Sequence, residues 1–344
     1  MKEYKRDEQL CFDDILLVPQ HSNVVSRKNV KLNTSIGNGG RNIGMRIPVI
    51  AAPMDTVCEY ELAVSIRNSG GLGIIHRYNS IEERIRQVKM TKAHENIICG
   101  VAVGATGDYL SEAWKLASSG ASVILVDTAN GHSEYAIEAV RQLRRSLGSN
   151  IHIMAGNVST YEGFARLQDA GADSIRVGIG GGSVCTTRIV SGHGMPTLAS
   201  IMDIREKINY SDGASIIADG GIRNSGDAAK ALAAGANAVM LGSLLAGTDE
   251  SPGKLVDGYK EFRGMASKEA QEDGRGTVSV VEGIKTVVPY RGSVDNIMQE
   301  IAGGLGSALS YSGANNLKEF YEQSEFIKVT HSSLGESKPH AKRN

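Results

Sequence analysis

Short apolar runs rich in β-branched residues recur along the chain, and segments with helical periodicity separate them. Most of the runs lack the strict alternation of a half-exposed sheet, which is typical of parallel strands buried on both faces. The pattern predicts strands over 47–51, 72–75, 97–103, 123–127, 151–155, 174–177, 215–218 and 238–241. It predicts helices over 61–69, 82–90, 109–119, 133–146, 161–170, 201–208 and 225–234.

Strands that alternate with helices in this way favour a single (β/α)₈ TIM barrel over residues 1–344, with a doubly wound sheet as the alternative. The first predicted strand does not lead through a GxGxxG turn into a helix, which disfavours the alternative. Similar glycine-containing turns, at 70–73, 170–173 and 234–237, lie between a helix and the next strand. Such repeated turns are typical of the helix-to-strand loops of a barrel.

Both ends of the chain contain regions outside this repeat. Residues 1–44 precede the first predicted strand. Residues 248–295 lack clear periodicity, so we predict mostly irregular structure there, with a mobile lid loop over about 266–281. Helical character returns over 295–324, and the polar C-terminal tail, about 330–344, is predicted to be mobile.

The composition limits the classes of partner and the cellular setting. Hydrophobic residues make up 41% of the chain and the net charge is −1, so bulk electrostatics favour neither nucleic-acid nor membrane binding. No apolar run approaches transmembrane length, and the first ten residues lack the apolar core of a signal peptide. The four cysteines, Cys11, Cys58, Cys99 and Cys185, are too scattered for a metal cluster or a disulfide framework, which favours a reducing cytoplasm.

The candidate chemistry lies at the C-terminal ends of the predicted strands, where barrel enzymes form their sites. The sixth strand ends in the glycine-rich segment 178–188, which contains Cys185. A turn with few side chains exposes backbone amides that suit anions or ions. A thiol among hydroxyls and an arginine can ionise and act as a nucleophile, although a flexible loop with an inert cysteine is the simpler alternative.

The ends of the last two predicted strands indicate a phosphate site. Gly220 and Gly221, together with Gly242 and Ser243, supply bare amides and a hydroxyl where barrels often bind phosphate. Ordinary turn glycines are the alternative interpretation. Asp219 would repel a phosphate, but its carboxylate suits the two hydroxyls of a ribose. The combination predicts a nucleoside monophosphate as the ligand.

Six motifs resemble those of the IMP dehydrogenase and GMP reductase family: FDDILLVP, PMDTV, GIGGGSVCTTR, ADGGIR, VMLGSLLAGT and FRGM. The resemblance extends from about residue 10 to residue 339. It implies a (β/α)₈ barrel that forms a homotetramer and binds a purine nucleoside monophosphate (GMP or IMP) with a nicotinamide cofactor. It also implies a cysteine that attacks C2 of the purine.

The resemblance implies roles for individual residues. Cys185 would be the catalytic nucleophile, Thr187 would assist proton transfer, and Glu282 would be the partner of that threonine. The nucleotide-binding residues would be Ser183, Asp219, Gly220, Gly221, Gly242, Ser243, Arg263, Gly264 and Met265. Asp127, Thr128, Ala129 and Gly178 would contact the cofactor, and the carbonyls of Gly180, Gly182 and Cys185 would hold a monovalent cation such as K⁺.

Three features favour GMP reductase over IMP dehydrogenase. The dehydrogenases usually contain an inserted pair of CBS domains, for which residues 87–100 leave no room. They also need a flap with an Arg-Tyr pair to activate water, whereas the short segment 265–282 contains Arg275 but no tyrosine. Residues 127–131, DTANG, resemble the reductase pattern. We therefore expect reduction of GMP to IMP and ammonia. The expected cofactor is NADPH, or NAD in its place.

IMP dehydrogenase, which would oxidise IMP to XMP with NAD, is the alternative, because ADGGIRNSGD, AGTDESPG and SSLGESKPH look more like dehydrogenase sequence. Two further classes stay open: a nucleotide sensor without activity, and another phosphate-binding barrel enzyme such as an FMN oxidoreductase. The presence of Cys185, Thr187 and Glu282 disfavours the sensor, because a binding protein does not need all three.

Overall fold

A closed barrel of parallel strands forms the centre of this computed structural model, which describes residues 8–37, 40–95, 97–210 and 213–339. Three short strands precede the barrel: β1 (Ile15–Leu17), β2 (Thr34–Ile36) and β3 (Ile43–Met45). The barrel strands are β4 (Val49–Ala51), β5 (Leu72–Ile75), β6 (Cys99–Val103), β7 (Val123–Asp127), β8 (His152–Val158), β9 (Ser174–Val177), β10 (Ser215–Asp219) and β11 (Ala238–Leu241). Because β11 pairs with β4, the predicted (β/α)₈ barrel is confirmed and the doubly wound sheet is wrong.

Alternate residues along the barrel strands face two different cores. Ile50 and Ile217 belong to a cluster inside the barrel, whereas their neighbours Val49 and Ile216 pack outside it, beneath the helices. All four side chains are fully buried. Burial on both faces explains why the sequence shows continuous apolar runs rather than alternation.

Helices connect the strands and cover the outside of the barrel. They are α1 (Tyr60–Asn68), α2 (Ile81–Lys92), α3 (Tyr109–Ser118), α4 (Glu134–Leu147), α5 (Tyr161–Asp169), α6 (Thr187–Val190), α7 (Thr197–Arg205), α8 (Ser225–Ala233), α9 (Ser243–Ala246), α10 (Lys268–Arg275), α11 (Val294–Tyr311), α12 (Leu317–Gln323) and α13 (Ser333–Glu336). The side chain of Asn224 accepts a hydrogen bond from the Asp227 amide over 2.9 Å and so begins α8. Helix α7 begins at Thr197, four residues earlier than predicted, with Pro196 as its N-cap residue.

The region 248–295 is more regular than predicted. After β11, the strands β12 (Leu255–Val256), β13 (Tyr259–Arg263) and β14 (Lys285–Pro289) form an antiparallel sheet, and α10 occupies part of the predicted lid loop. The prediction of mostly irregular structure therefore missed this sheet and α10. These strands are largely exposed, and among the described side chains of α10 only Ala270 and Gln271 are buried. The sheet and α10 therefore both lack the apolar periodicity on which the prediction depended.

The two ends of the chain pack against the barrel. The β2–β3 hairpin adds Ile36 and Ile43 to the cluster inside the barrel. The C-terminal strand β15 (Phe326–Lys328) pairs with β1, and α11 and α12 fill most of the predicted helical region. Residues 340–344 of the predicted mobile tail lie outside the described residues, and α13 occupies part of the rest. No helix among the described residues is long and apolar enough to span a membrane.

Candidate active site

A cavity of about 360 Å³ opens where the C-terminal ends of the barrel strands meet, a volume typical of small-molecule sites. The predicted site residues that line it are Asp127, Thr128, Ala129, Gly178, Gly180, Gly182, Ser183, Cys185, Thr187, Asp219, Gly220, Gly221, Gly242, Ser243, Gly264, Met265 and Glu282. Arg263 is the one predicted site residue that does not line it. Loops far apart in sequence therefore meet at one cavity.

The loop that contains Cys185 turns sharply away from the end of β9. Gly178 has a φ of +141° and Gly180 a φ of +80°, values that residues with a β-carbon rarely adopt. A β-carbon at Gly178 would also overlap the backbone oxygen of Asp219. The glycine therefore lets the cysteine loop lie directly against the end of β10, so that Cys185 and Asp219 share one cavity.

Three side chains form a continuous proton path in this cavity. The thiol of Cys185 donates to Oγ1 of Thr187 over 3.2 Å, and the Thr187 hydroxyl donates to Oε2 of Glu282 over 2.7 Å. The order of donors and acceptors leads from a thiol to a carboxylate. This arrangement can take the proton from the sulfur and return it later to another atom nearby.

Backbone hydrogen bonds hold Glu282 beside the cysteine loop although the two are far apart in sequence. The amide of Thr186 donates to the carbonyl of Glu282 over 3.0 Å, and the amide of Ile284 donates to the carbonyl of Val184 over 3.0 Å. These bonds form a short antiparallel bridge between Cys185 and Gly283, the residue after Glu282. The register of this bridge places the Glu282 carboxylate at Thr187.

A second cluster beside the proton path centres on Arg176, which the sequence analysis did not single out. The guanidinium of Arg176 donates from Nη1 to Oδ1 of Asp127 over 2.6 Å, and from Nε and Nη2 to Oδ2 of Asp219 over 3.1 and 2.8 Å. Arg77 donates from Nε to the other oxygen of Asp127 over 3.3 Å. A charged arginine within a strand predicted to be buried was the feature that could have revealed this cluster.

The charges of this cluster stabilise one another. Burial raises the pKa of Asp127, but the positive charges of Arg176 and Arg77 outweigh burial, so the pKa lies below its ordinary value. Burial lowers the pKa of Arg176, but the negative charges of Asp219 and Asp127 outweigh it and the pKa is raised. The buried carboxylate of Asp127 is therefore ionised at neutral pH.

Asp219 uses only one of its carboxylate oxygens within the protein. Besides the two bonds from Arg176, Nδ2 of Asn157 donates to the same Oδ2 over 2.8 Å. Among the described residues, no hydrogen bond goes to Oδ1. Because Asp219 lines the cavity, Oδ1 is the oxygen available to a bound ligand.

Arg263 connects α10 to the barrel instead of lining the cavity. Its guanidinium donates to Oδ2 of Asp55, at the end of the first barrel strand, over 2.6 Å, and to Oδ2 of Asp273 in α10 over 2.7 Å. The hydroxyl of Tyr78 donates to the carbonyl of Met265 over 2.8 Å, which attaches the same segment to the second strand's loop. Arg263 thus contacts two carboxylates that the sequence did not assign to it.

The other cysteines lie away from the cavity lining. Cys58 and Cys99 are buried, and burial raises the pKa of the Cys99 thiol to about 11 and raises that of Cys58 further. Cys11 is partly exposed and donates to Oδ2 of Asp14 over 2.9 Å. Only Cys185 combines access to the cavity with a proton acceptor chain among these thiols.

The carbonyls predicted to hold a monovalent cation lie in one tight turn. The carbonyl of Gly182 accepts a hydrogen bond from the amide of Cys185 over 3.1 Å. Gly180 and Gly182 both line the cavity. The cation site at Gly180, Gly182 and Cys185 stays a prediction.

Comparison with known proteins gives a consistent family. A family model described as the IMP dehydrogenase / GMP reductase domain matches residues 9–340. The inosine-5'-monophosphate dehydrogenase of Cryptosporidium parvum is 36% identical over 387 residues, which covers 96% of this chain and 94% of that protein. That of Nitrosopumilus maritimus is 32% identical over 472 residues, which covers 97% and 98%. The latter alignment is longer than the 344 residues here, so that relative contains segments without a counterpart in this chain.

A solved structure has the same fold over nearly the whole chain. The crystal structure of GMP reductase from Trypanosoma brucei, in complex with guanosine 5'-monophosphate, superposes with a TM-score of 0.90 at 29% sequence identity. The match covers 98% of this chain and 99% of that one. The chain therefore belongs to the IMP dehydrogenase / GMP reductase family, whose members are oxidoreductases that act on purine nucleotides.

Proposed function

We propose that this protein is a GMP reductase, which converts GMP into IMP and ammonia with NADPH as reductant. The observation that carries the proposal is the segment between Met265 and Glu282. It contains Arg275 but no tyrosine, so it lacks the Arg-Tyr pair with which the dehydrogenases activate water for hydrolysis. It ends instead with the Glu282 carboxylate 2.7 Å from the Thr187 hydroxyl, which suits proton delivery to a leaving amine.

The lining of the cavity supports a purine nucleoside monophosphate as substrate. Gly220 and Gly221 have φ values of +92° and +83° and add backbone without side chains to the cavity wall. Together with Gly242 and Ser243, they supply the amides and hydroxyl that a phosphate needs. Oδ1 of Asp219 is the proposed acceptor for the ribose hydroxyls. Ser183, Gly264 and Met265 are proposed to contact the nucleotide as well.

The proposed reaction uses the proton path in both directions. The thiol of Cys185 passes its proton through Thr187 to Glu282, and the thiolate adds to C2 of the purine. The bond from C2 to the amino nitrogen then breaks, and Glu282 returns the proton through Thr187 to the departing ammonia. When bound, the nicotinamide cofactor supplies the hydride that takes the place of the amino group. The sulfur finally leaves C2 as a thiolate.

The residues near the proton path fit a nicotinamide. Ala129 and Gly178 contribute only small groups to the cavity wall, which suits a planar ring. Asp127 and Thr128 supply polar groups beside them, and the Thr128 hydroxyl is held by a 2.8 Å bond to the carbonyl of Gly156. We propose that these residues hold the cofactor against the nucleotide. Arg263 is proposed to support nucleotide binding through the lid.

Three further properties belong to the proposal. The chain is proposed to form a homotetramer, to work in the cytoplasm, and to bind K⁺ at the carbonyls of Gly180, Gly182 and Cys185. The family resemblance supports the tetramer and the cation site, and the scattered cysteines support the cytoplasm. IMP dehydrogenase activity is the second candidate function, because the similar proteins from Cryptosporidium parvum and Nitrosopumilus maritimus carry that name at 36% and 32% identity.

A comparison of two substrate pairs tests the proposal. Purified protein is mixed with GMP plus NADPH, and separately with IMP plus NAD, and the nicotinamide absorbance is followed. We expect turnover in the first mixture with release of ammonia. Turnover in the second mixture alone would exclude the reductase and establish the dehydrogenase.

A cysteine variant tests the covalent mechanism separately. Cys185→Ala should abolish turnover with either substrate pair and retain GMP binding, because the nucleotide contacts remain. Cys11→Ala, which removes the other partly exposed thiol, is the matched control and should keep its activity. Turnover by Cys185→Ala comparable to that of the control would rule out the thiolate as nucleophile.

A further inference from the structure

Arg176 stands between the two carboxylates that the proposed function assigns to different ligands. Its three hydrogen bonds divide between Oδ1 of Asp127, on the cofactor side, and Oδ2 of Asp219, on the nucleotide side. The side chain of Arg176 is 10% exposed, and those of Asp127 and Asp219 are 17% and 16% exposed. Water therefore screens these charges only weakly.

We propose that Arg176 is a positioning residue that couples the nucleotide site to the cofactor site. The proposal rests on the proposed function, because that function assigns Asp219 to the ribose and Asp127 to the cofactor. Both carboxylates accept hydrogen bonds from Arg176. A change at one carboxylate therefore alters the hydrogen bonds between the guanidinium and the other. Occupation of either site then changes affinity at the other site by the same factor.

The geometry gives the direction of this effect. With Asp127 present, Arg176 contacts only Oδ2 of Asp219, and Oδ1 stays available to the ribose. If Asp127 loses its charge, the guanidinium loses one of its two partners. A guanidinium prefers to bind a carboxylate through both oxygens, so it would then also engage Oδ1 of Asp219. The ribose would lose its acceptor, and GMP would bind more weakly.

The guanidinium is essential to this argument. A guanidinium presents several donors in a fixed plane and can serve two carboxylates at once. An ammonium is a point charge on a flexible chain, without the fixed fork that grips two oxygens of one carboxylate. Arg176→Lys therefore keeps the positive charge between Asp127 and Asp219 but removes the means of coupling.

A second buried ion-pair cluster provides the matched control. At the opposite end of the barrel, Asp173 accepts hydrogen bonds from both Arg41 and Arg144. Asp173 is 2% exposed and Arg144 is 19% exposed, against 10% for Arg176, so the control arginine is also largely enclosed. None of these residues lines the cavity. Arg144→Lys therefore measures what a largely enclosed, ion-paired arginine contributes to the fold alone.

The test is a double-mutant cycle read by GMP binding in calorimetry, without cofactor. In the natural background, Asp127→Asn should raise the Kd for GMP about three- to tenfold. In the Arg176→Lys background, the same Asp127→Asn change should alter the Kd less than about twofold. Arg144→Lys should lower the melting temperature and leave the Kd for GMP unchanged.

Steady-state kinetics separate positioning from structural damage. A variant that is partly unfolded loses kcat at constant KM, because the remaining folded molecules bind normally. Arg176→Lys should instead raise the KM for GMP and the KM for NADPH together, with a smaller change in kcat.

The outcomes are distinguishable. If Asp127→Asn weakens GMP binding equally with and without Arg176, or does not weaken it at all, the coupling is overturned. A fall in kcat at constant KM in Arg176→Lys would also overturn it. If the natural protein binds neither GMP nor IMP, the proposed function itself fails. Binding of GMP with no coupling leaves the proposed function intact.

Discussion

In the proposed reaction, the chemistry of Cys185 depends on Glu282, because it is the carboxylate at the end of the hydrogen-bonded path from the thiol. We predict that Glu282→Gln lowers kcat about a hundred- to ten-thousandfold, since an amide cannot accept the proton and return it. The shape of the side chain is preserved, so GMP affinity should change little. Single-turnover kinetics and calorimetry measure the two quantities.

Glu261→Gln is the control for this prediction. Glu261 pairs with Lys285 over 2.9 Å on the small antiparallel sheet and does not line the cavity. Its substitution should leave kcat within about twofold, as expected for an exposed ion pair. If Glu282→Gln retains kcat to the same degree, the proton must leave by another route.

At the scale of single residues, the sequence predicted the participants better than their contacts. The motif that contains Cys185 and Thr187 sufficed to place both at one cavity, because it directly follows a predicted barrel strand, whose C-terminal end faces that cavity. Arg176 was missed because charged residues are seldom buried, and the carboxylates that stabilise its charge lie on other strands. Arg263 was expected at the nucleotide, but it pairs with Asp55, after β4, and with Asp273 on α10, a helix that the sequence did not predict.

At the scale of elements, α10 packs closely against Tyr78, in the loop after the second barrel strand. A β-carbon at Gly274 would overlap the ring of Tyr78, whose hydroxyl is held by the carbonyl of Met265. We predict that Gly274→Ala displaces α10 from the barrel and lowers kcat/KM about tenfold, since small displacements of positioning elements are costly. Steady-state kinetics measure this loss.

The control lies on the same helix. Glu272 is exposed and pairs with the exposed Lys268 over 3.9 Å, so Glu272→Ala should keep kcat/KM within about twofold. Both variants should unfold at nearly the same denaturant concentration as the natural protein, because α10 contributes few buried side chains. An unchanged kcat/KM in Gly274→Ala would mean that the contact with Tyr78 has no part in positioning the lid.

Elements with an apolar core face were predicted well, and polar ones were not. The strands β5, β7, β9 and β11 have the predicted bounds, because a run buried on both faces has sharp polar limits. Helix α10 was missed although Ser267 caps its beginning and Gly276 ends it with a φ of +68°. Caps alone, without an apolar stripe, did not distinguish a helix from a loop in the sequence.

At the scale of the whole molecule, the barrel separates function from stability. The cavity lies at the C-terminal ends of the strands, and a polar cluster closes the other end beneath the β2–β3 hairpin. There His152 joins the carbonyl of Arg41 at 2.9 Å and Oγ of Ser174 at 2.7 Å. A carbonyl only accepts, so Nδ1 carries the proton and Nε2 accepts from the serine. The neutral imidazole therefore satisfies both partners.

This histidine makes the stability of the whole protein depend on pH. Burial lowers the pKa of His152 in the folded state, whereas the unfolded chain has the ordinary value of about 6.5. As the pH falls below 6.5, the unfolded state takes up a proton that the folded state does not, so the free energy of unfolding decreases. The slope contributed is at most about 1.4 kcal/mol per pH unit, and it ends once the pH falls below the folded-state pKa. Urea unfolding between pH 7.5 and pH 5.5 (roughly one unit on either side of the ordinary value) should therefore show a shallower slope for His152→Gln than for the natural protein. The exposed His193→Gln should keep the natural slope, and equal slopes in all three proteins would mean that His152 is protonated as readily in the folded state as in the unfolded one.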